Sequence, residues 1–237
     1  MNASAVEPAC SGDFSADRPG LSTDTAVLAR GCQQLEAGYQ YSRDDTGLTT
    51  ATVPLLLYRA GINDALELRA SWDGENFMHH PGGVDRSAND PSIGAKVRLH
   101  DSDTFSLSLL GQLSLPAGSA AATSGEFDPT LALLWKRALS TRTALSGAFT
   151  RTSISTPDAA GSWQSAIAVD LGRDFGDGVG AFVEYADSQQ RGEHDAQTID
   201  IGATWLITRD MQLDVNGGRT WQRNSQHFVG FGAAWRY

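Results

Sequence analysis

The chain has 237 residues, enough for one large or two small domains, and carries 18 Lys plus Arg against 28 Asp plus Glu, a net charge of −10. That balance excludes non-specific nucleic-acid binding, which needs a basic footprint. The 41% apolar content is ordinary for a folded domain, and no run approaches the roughly 18 apolar residues of a spanning helix.

Residues 1–30 are rich in Ser, Ala, Asp and Pro and show no sustained periodicity. They are expected to form an extended segment leading into the fold. The opening MNASAVEPACSGDFSADRPG has no charged-then-apolar leader, so either the protein is not exported or its leader has already been removed. Cys10 and Cys32 stand 22 positions apart. In an oxidising compartment they would form one bridge, worth about 3 kcal/mol for such a loop; otherwise they are two semi-buried thiols. Neither a CxxC pair nor a zinc spacing is present.

From Cys32 onward the pattern alternates. QLEAGYQYS sets Leu35, Ala37, Tyr39 and Tyr41 against Gln34, Glu36, Gly38 and Gln40. LELRASWD sets Leu66, Leu68, Ala70 and Trp72 against Glu67, Arg69, Ser71 and Asp73. SIGAKVRL, FSLSLLGQLSL, WQSAIAVDL and IDIGATWLI repeat the scheme. A period of two over such windows marks strands, and adding weaker windows gives about twelve. Short polar turns such as GIND, HDSD, STRT, RDFGDG and TRDM separate some of them; longer Gly/Ser/Asp-rich links at 74–90, 116–126, 153–162, 188–196 and 219–226 separate the others.

Long and short connections therefore alternate, as in an up-and-down barrel crossing a membrane with tight periplasmic turns and longer outer loops. A water-soluble barrel of this size would enclose more volume than its side chains could fill. A membrane barrel instead turns apolar residues to lipid and polar ones to the lumen, and closure satisfies every backbone group. The expected fold is all-β: a closed, antiparallel transmembrane barrel over residues 31–237, with residues 1–30 as an extended periplasmic segment or a lumen plug. If the first strand rises from the periplasm, Tyr39, Tyr41, Trp72, Phe127, Phe149, Trp163 and Tyr185 fall toward the outer rim. Phe105, Trp135, Trp205, Trp235 and Tyr237 then fall toward the inner one, giving two girdles. The closing GFGAAWRY carries a Gly-x-x-aromatic-x-aromatic pattern at Gly232, Trp235 and Tyr237, which resembles the C-terminal signal of bacterial outer-membrane barrels. It implies recognition by the barrel-assembly machinery.

The stretch FSADRPGLSTDTAVLARGCQQLEAGYQYSR with PLLLYRAGINDALELRASW resembles the outer-membrane transporter family labelled "MetA-pathway of phenol degradation". The resemblance rests on Asp17-Arg18-Pro19, Gln34-Leu35-Glu36, Gly61 to Asp64 and Glu67-Leu68-Arg69, and extends to DPSIGAKVRL and SLPAG. It implies an outer-membrane barrel with a transport role; the label does not establish phenol as substrate.

On the polar face, Arg69, Lys96, Arg98 and Lys136 are expected to form a basic lumen wall. Asp170, Glu184, Asp200 and Asp214, with Glu36 beside them around the ring, would form an acidic one. The two walls either impose a transverse field or pair locally and stiffen the interior. The favoured reading is a monomeric passive channel for small solutes, aromatic or hydrophobic ones included, embedded in outer-membrane lipid, with no cofactor, no metal and no nucleic acid. Two other classes stand beside it. A structural or adhesive barrel would have a closed lumen. A barrel-embedded lipid hydrolase would need a nucleophile, base and orienting residue in reach, yet His227 near Ser225 lacks a third partner and His100 and His194 fall in connections. His79, His80 and Asp85 are a weak metal candidate in a loop.

Overall fold

The computed structural model describes residues 10, 12–156, 159–223 and 225–237, with the side chains of 159 and 160 outside the description. Of the expected N-terminal segment, residues 1–9 and 11 lie outside the described residues. Fourteen strand segments and no helix occur among those described. They are β1 (Gln33–Asp44), β2 (Thr49–Asn63), β3 (Leu66–Trp72), β4 (Glu75–His80), β5 (Gly83–Ala88), β6 (Pro91–Asp101) and β7 (Phe105–Ser114). The rest are β8 (Asp128–Ser140), β9 (Thr143–Thr156), β10 (Ala159–Gly176), β11 (Val179–Gln190), β12 (Ala196–Thr208), β13 (Met211–Gln222) and β14 (Gln226–Arg236).

These segments build a closed twelve-strand antiparallel barrel. β2 pairs with β3 through its second half and with β4 through Thr49–Val53, so β3 and β4 are one strand interrupted at Asp73 and Gly74. Gly74 adopts φ +64°, and a Cβ there would run into the Val53 and Pro54 backbone, so the kink needs glycine. β5 pairs with β4, and β6 with β3 and β7, giving the fourth strand in two pieces. Closure runs through β1, which pairs with β2 on one side and β14 on the other. The chain ends are stitched by Gln33 N–H to the Tyr237 carbonyl at 3.0 Å and Tyr237 N–H to the Gln33 carbonyl at 2.9 Å. The twelve-strand ring is thereby closed, and among the described residues β5 alone pairs on one side only.

The expected link over 74–90 is instead the β4–β5 hairpin, an extension of the barrel wall. Its Gly- and Asp-rich composition hides a ladder from Glu75↔Ala88 to His80↔Gly83, supported by the Arg86 guanidinium on Glu75 and over the Phe77 ring at 5.6 Å. Links at 153–162, 188–196 and 219–226 are likewise shortened, because β9, β11 and β13 run on to Thr156, Gln190 and Gln222. The 115–127 connection between β7 and β8 stays long, pinned where Asp90 accepts from Gly118 N–H at 2.7 Å and Ser124 N–H at 3.0 Å. Burial favours Asp90's neutral form, but these donors outweigh it and hold its carboxyl below the usual range.

The two faces are inverted relative to a water-soluble protein. Ile201, Phe231 and Leu131 stand 60%, 58% and 54% exposed on the outside, whereas Glu36, Arg59, Glu67, Lys96 and Asp200 are fully buried within. Trp163, Tyr185, Trp205, Trp235 and Tyr237 all face outward, and Tyr39 stacks on Phe231 at 5.1 Å across the β1–β14 seam. An apolar outer belt around a polar interior is the arrangement a bilayer selects. Ile201→Arg, placing a cation near mid-strand on that belt, should therefore destabilise the barrel by roughly 2–4 kcal/mol. The check is the urea midpoint of the protein refolded in lipid vesicles; an unchanged midpoint would mean the outer face does not meet hydrocarbon.

Candidate functional site

The lumen is occupied by the chain's own residues 12–30. A Cys10–Cys32 disulfide joins the start of this strap to the foot of β1. The strap has no regular structure, so its backbone groups need partners, and inward side chains of the barrel supply them. Arg236 donates to the Gly12 and Asp13 carbonyls at 3.2 and 3.1 Å, with its guanidinium over the Phe14 ring. Ser15's carbonyl accepts from Gln34 at 3.0 Å and Arg59 at 2.9 Å. Asp17 and Arg18 N–H groups donate to Glu36, and those of Leu21 and Ser22 to Glu184 at 2.6 and 2.9 Å. On the return leg, Lys96 Nζ donates to the Asp24 and Ala26 carbonyls at 2.8 and 2.9 Å, Ser108 to the Thr25 carbonyl at 2.6 Å, and Leu28 N–H to Glu67 at 2.9 Å.

Three charged strap side chains anchor this path. Asp17 lies within 2.6 Å of Arg69, 3.2 Å of Lys96 and 3.6 Å of Arg59. Burial alone would favour its neutral form; the three cations outweigh that and keep the carboxyl well below its ordinary range. Arg18 reaches Asp214 at 3.3 Å and lies flat over Gly38 and Gly232, which face each other in the β1–β14 register. A Cβ at either glycine would overlap the guanidinium. Asp24, with Lys136 at 2.7 Å, is likewise held below the usual range: burial opposes ionisation and Lys136 overcomes it.

Arg69 and Lys96 are buried with Glu67 and Asp17, and Arg98 reaches Asp101 and the Val27 carbonyl, each at 3.4 Å. Lys136 holds Asp24. Asp170, Glu184 and Asp200 sit directly opposite one another on β10, β11 and β12. Asp170 accepts from Ser146 at 3.0 Å, Asp200 from Asn216 at 2.9 Å, and Asp214 from Arg18. Glu36, grouped with the acidic wall in the sequence reading, has Arg59 at 3.3 Å and the strap amides as partners. Arg59 and Glu67 are the members that reading left out. Glu67 accepts from Arg59 at 3.0 and 2.9 Å.

Of the proposed C-terminal signal, Trp235 and Tyr237 face outward while Gly232 turns inward beneath Arg18. His79 and His80 are consecutive in β4 and so point to opposite faces. His80 lies 3.3 Å from Asp85, and among the described residues no group of three or more His, Cys, Asp or Glu is disposed to hold a metal. Ser225 donates to Asp45 at 2.6 Å.

The strap divides the interior. Above it opens an outer cavity of about 650 Å³, floored by residues 17–18 and 20–23 and walled by β2, β3 and β6–β9. Smaller cavities of about 250, 360 and 500 Å³ lie beside and below it, lined by Lys136 and Glu184, by Arg98 and Arg236, and by Phe182 and Gln212 respectively.

A closed barrel with a lipid-compatible exterior and a charged, strapped lumen defines an outer-membrane β-barrel of porin-like build. The sequence profile of the family described as "Putative MetA-pathway of phenol degradation" matches residues 16–237, and the chain belongs to that family. Among solved structures it is similar to an outer-membrane channel from Pseudomonas putida F1, with 14% identity and a TM-score of 0.73 over 93% of this chain and 99% of that one. It is also similar to the NanC porin (6% identity, TM-score 0.63, 85% of this chain and 98% of that one). The KdgM porin is a third likeness (12% identity, TM-score 0.55, 84% and 98%). No curated protein matches the sequence.

Proposed function

We propose that the chain is a passive, monomeric outer-membrane channel for small solutes, with residues 12–30 as the strap that narrows its lumen. The observation that carries this reading is the strap's course across the interior: it is hydrogen-bonded to wall residues from Glu36 round to Asp214 and leaves cavities on both sides. A structural barrel would be filled by its own wall side chains, without a separately held segment between two cavities.

The charge layout supports a cation preference. On one side Arg59, Arg69 and Lys96 face Asp17, Glu36 and Glu67, and so balance locally. On the other, Asp170, Glu184, Asp200 and Asp214 outnumber Arg18, since Lys136 is spent on Asp24. The transverse field expected from sequence is thereby reduced to a one-sided negative potential. Trp235 and Tyr237, exposed on the closing strand, are the groups that lipid and the assembly machinery would meet.

The test is the purified full-length chain in planar bilayers under a KCl gradient. Discrete steps with a reversal potential on the cation side are expected. A barrel that stays silent even after its strap has been displaced would refute the channel.

A further inference from the structure

We propose that the outer cavity is a binding vestibule for neutral polyhydroxy solutes of one or two sugar rings. The proposal rests on the channel reading and names the solute class that channel takes.

Ser71 pairs with Ser92, and Ser92 with Ser114, across β3, β6 and β7. Two residues deeper, Gln112 pairs with Thr130, and Thr130 with Thr152, across β7, β8 and β9. All six side chains line the outer cavity. Cross-strand neighbours lie about 4.8 Å apart and alternate residues along a strand about 7 Å apart. The wall is therefore a two-rung grid of hydroxyl and carboxamide groups at spacings comparable to a sugar ring.

These groups are available. Among the described residues the side chains of Ser71, Ser92, Ser114 and Gln112 make no hydrogen bond to the protein, while Thr130 and Thr152 share one at 3.0 Å. Hydroxyls and carboxamides both donate and accept, which suits a polyol whose own hydroxyls do the same. The other chemistries are poorly served. Arg18 and Arg69 on the floor are committed to Asp214 and Asp17, and Asp73, Asp90 and Asp128 stand around the mouth, so an anion meets repulsion and, among the described residues, no unpaired cation. Among the described residues no aromatic side chain lines the cavity, so the aromatic solutes expected from sequence find no ring to stack on. A volume of about 650 Å³ lies within the usual range for small-molecule sites.

The experiment adds maltose to the full-length chain in planar bilayers and reads the KCl current. A saturable block is expected. It should weaken about tenfold in the volume-conserving Gln112→Leu/Thr130→Val variant, which loses two or so hydrogen bonds, with KCl conductance itself little changed. Sodium benzoate at the same concentration should not block. Absence of maltose block in a conducting wild type, an equal block in the variant, or a stronger block by benzoate would overturn the proposal. A parallel titration follows tryptophan fluorescence, with Trp72→Phe assigning the signal to Trp72, whose indole N–H donates to the Asn89 carbonyl at the cavity edge. Saturable maltose binding with no conductance even after the strap has been displaced would remove the channel and keep the vestibule; neither signal would remove both.

Discussion

Arg59→Leu is expected to destabilise the barrel by roughly 3–5 kcal/mol, the range for breaking a buried ion pair from one side. Arg59 is fully buried on β2, amid Glu67 at 2.9 Å, Glu36 at 3.3 Å and Asp17 at 3.6 Å, and it also donates to the Ser15 and Ala26 carbonyls of the strap. The surrounding network balances Arg59, Arg69 and Lys96 against Asp17, Glu36 and Glu67. Leucine leaves one excess negative charge where water is scarce, together with two strap carbonyls short of a donor. Balance matters more than the number of bridges here. The double variant Arg59→Leu/Glu67→Leu, which restores neutrality, should regain part of the loss despite removing more polar contacts. Urea unfolding in lipid vesicles reads both variants. A single variant as stable as wild type, or a double variant that is worse by the sum of its parts, would show that the charges act independently.

That network also shows where sequence reading stops. Leu66, Leu68 and Ala70 against Glu67, Arg69 and Ser71 suffices to infer a strand with an oily and a polar face, because period-two alternation is a local property. Closure, strand direction and inverted faces follow from such local facts plus the demand that no backbone group stay unpaired in hydrocarbon. Arg59 is another matter. In PLLLYRAG it trails an apolar run, and only the β1–β2 register, Gln34↔Arg59, turns it toward Glu36 and Glu67. The β4–β5 hairpin was hidden for a related reason: ENFMHH and GVDRSA rise beyond the apolar belt, where neither face is selected for lipid and the alternation fades. The strap carries no periodicity at all. Its sole written sign is the DRP segment of the family resemblance, whose Asp17 and Arg18 turn out to be two of its three charged anchors.

The seat of Arg18 yields the sharpest expectation: Gly38→Ala should open the lumen while leaving the barrel intact. The three atoms nearest to a Cβ at position 38 would all belong to the Arg18 guanidinium, the far end of a flexible side chain that can move away. At Gly232 a Cβ would also press on the Ala37 carbonyl at 2.6 Å, so Gly232→Ala strains the β1–β14 seam as well. The two substitutions thus separate the strap from the wall. Gly38→Ala removes the seat, weakens the Arg18–Asp214 contact and leaves the turn at residues 18–22 held by Glu36, Glu184 and Gln212. Loss of one such charge-assisted contact, about 1.5–3 kcal/mol, shifts the docked-to-undocked balance by roughly ten- to a hundredfold. Bilayer recordings should show longer and larger openings than wild type, with the urea midpoint lowered by no more than the loss of that one contact. Because Cys10 and Cys32 tie both ends of the strap together at the foot of β1, the released segment swings as a loop and cannot withdraw as a free tail, so the openings should be reversible. Unaltered conductance in Gly38→Ala would mean that Arg18 lies over the two glycines without closing anything.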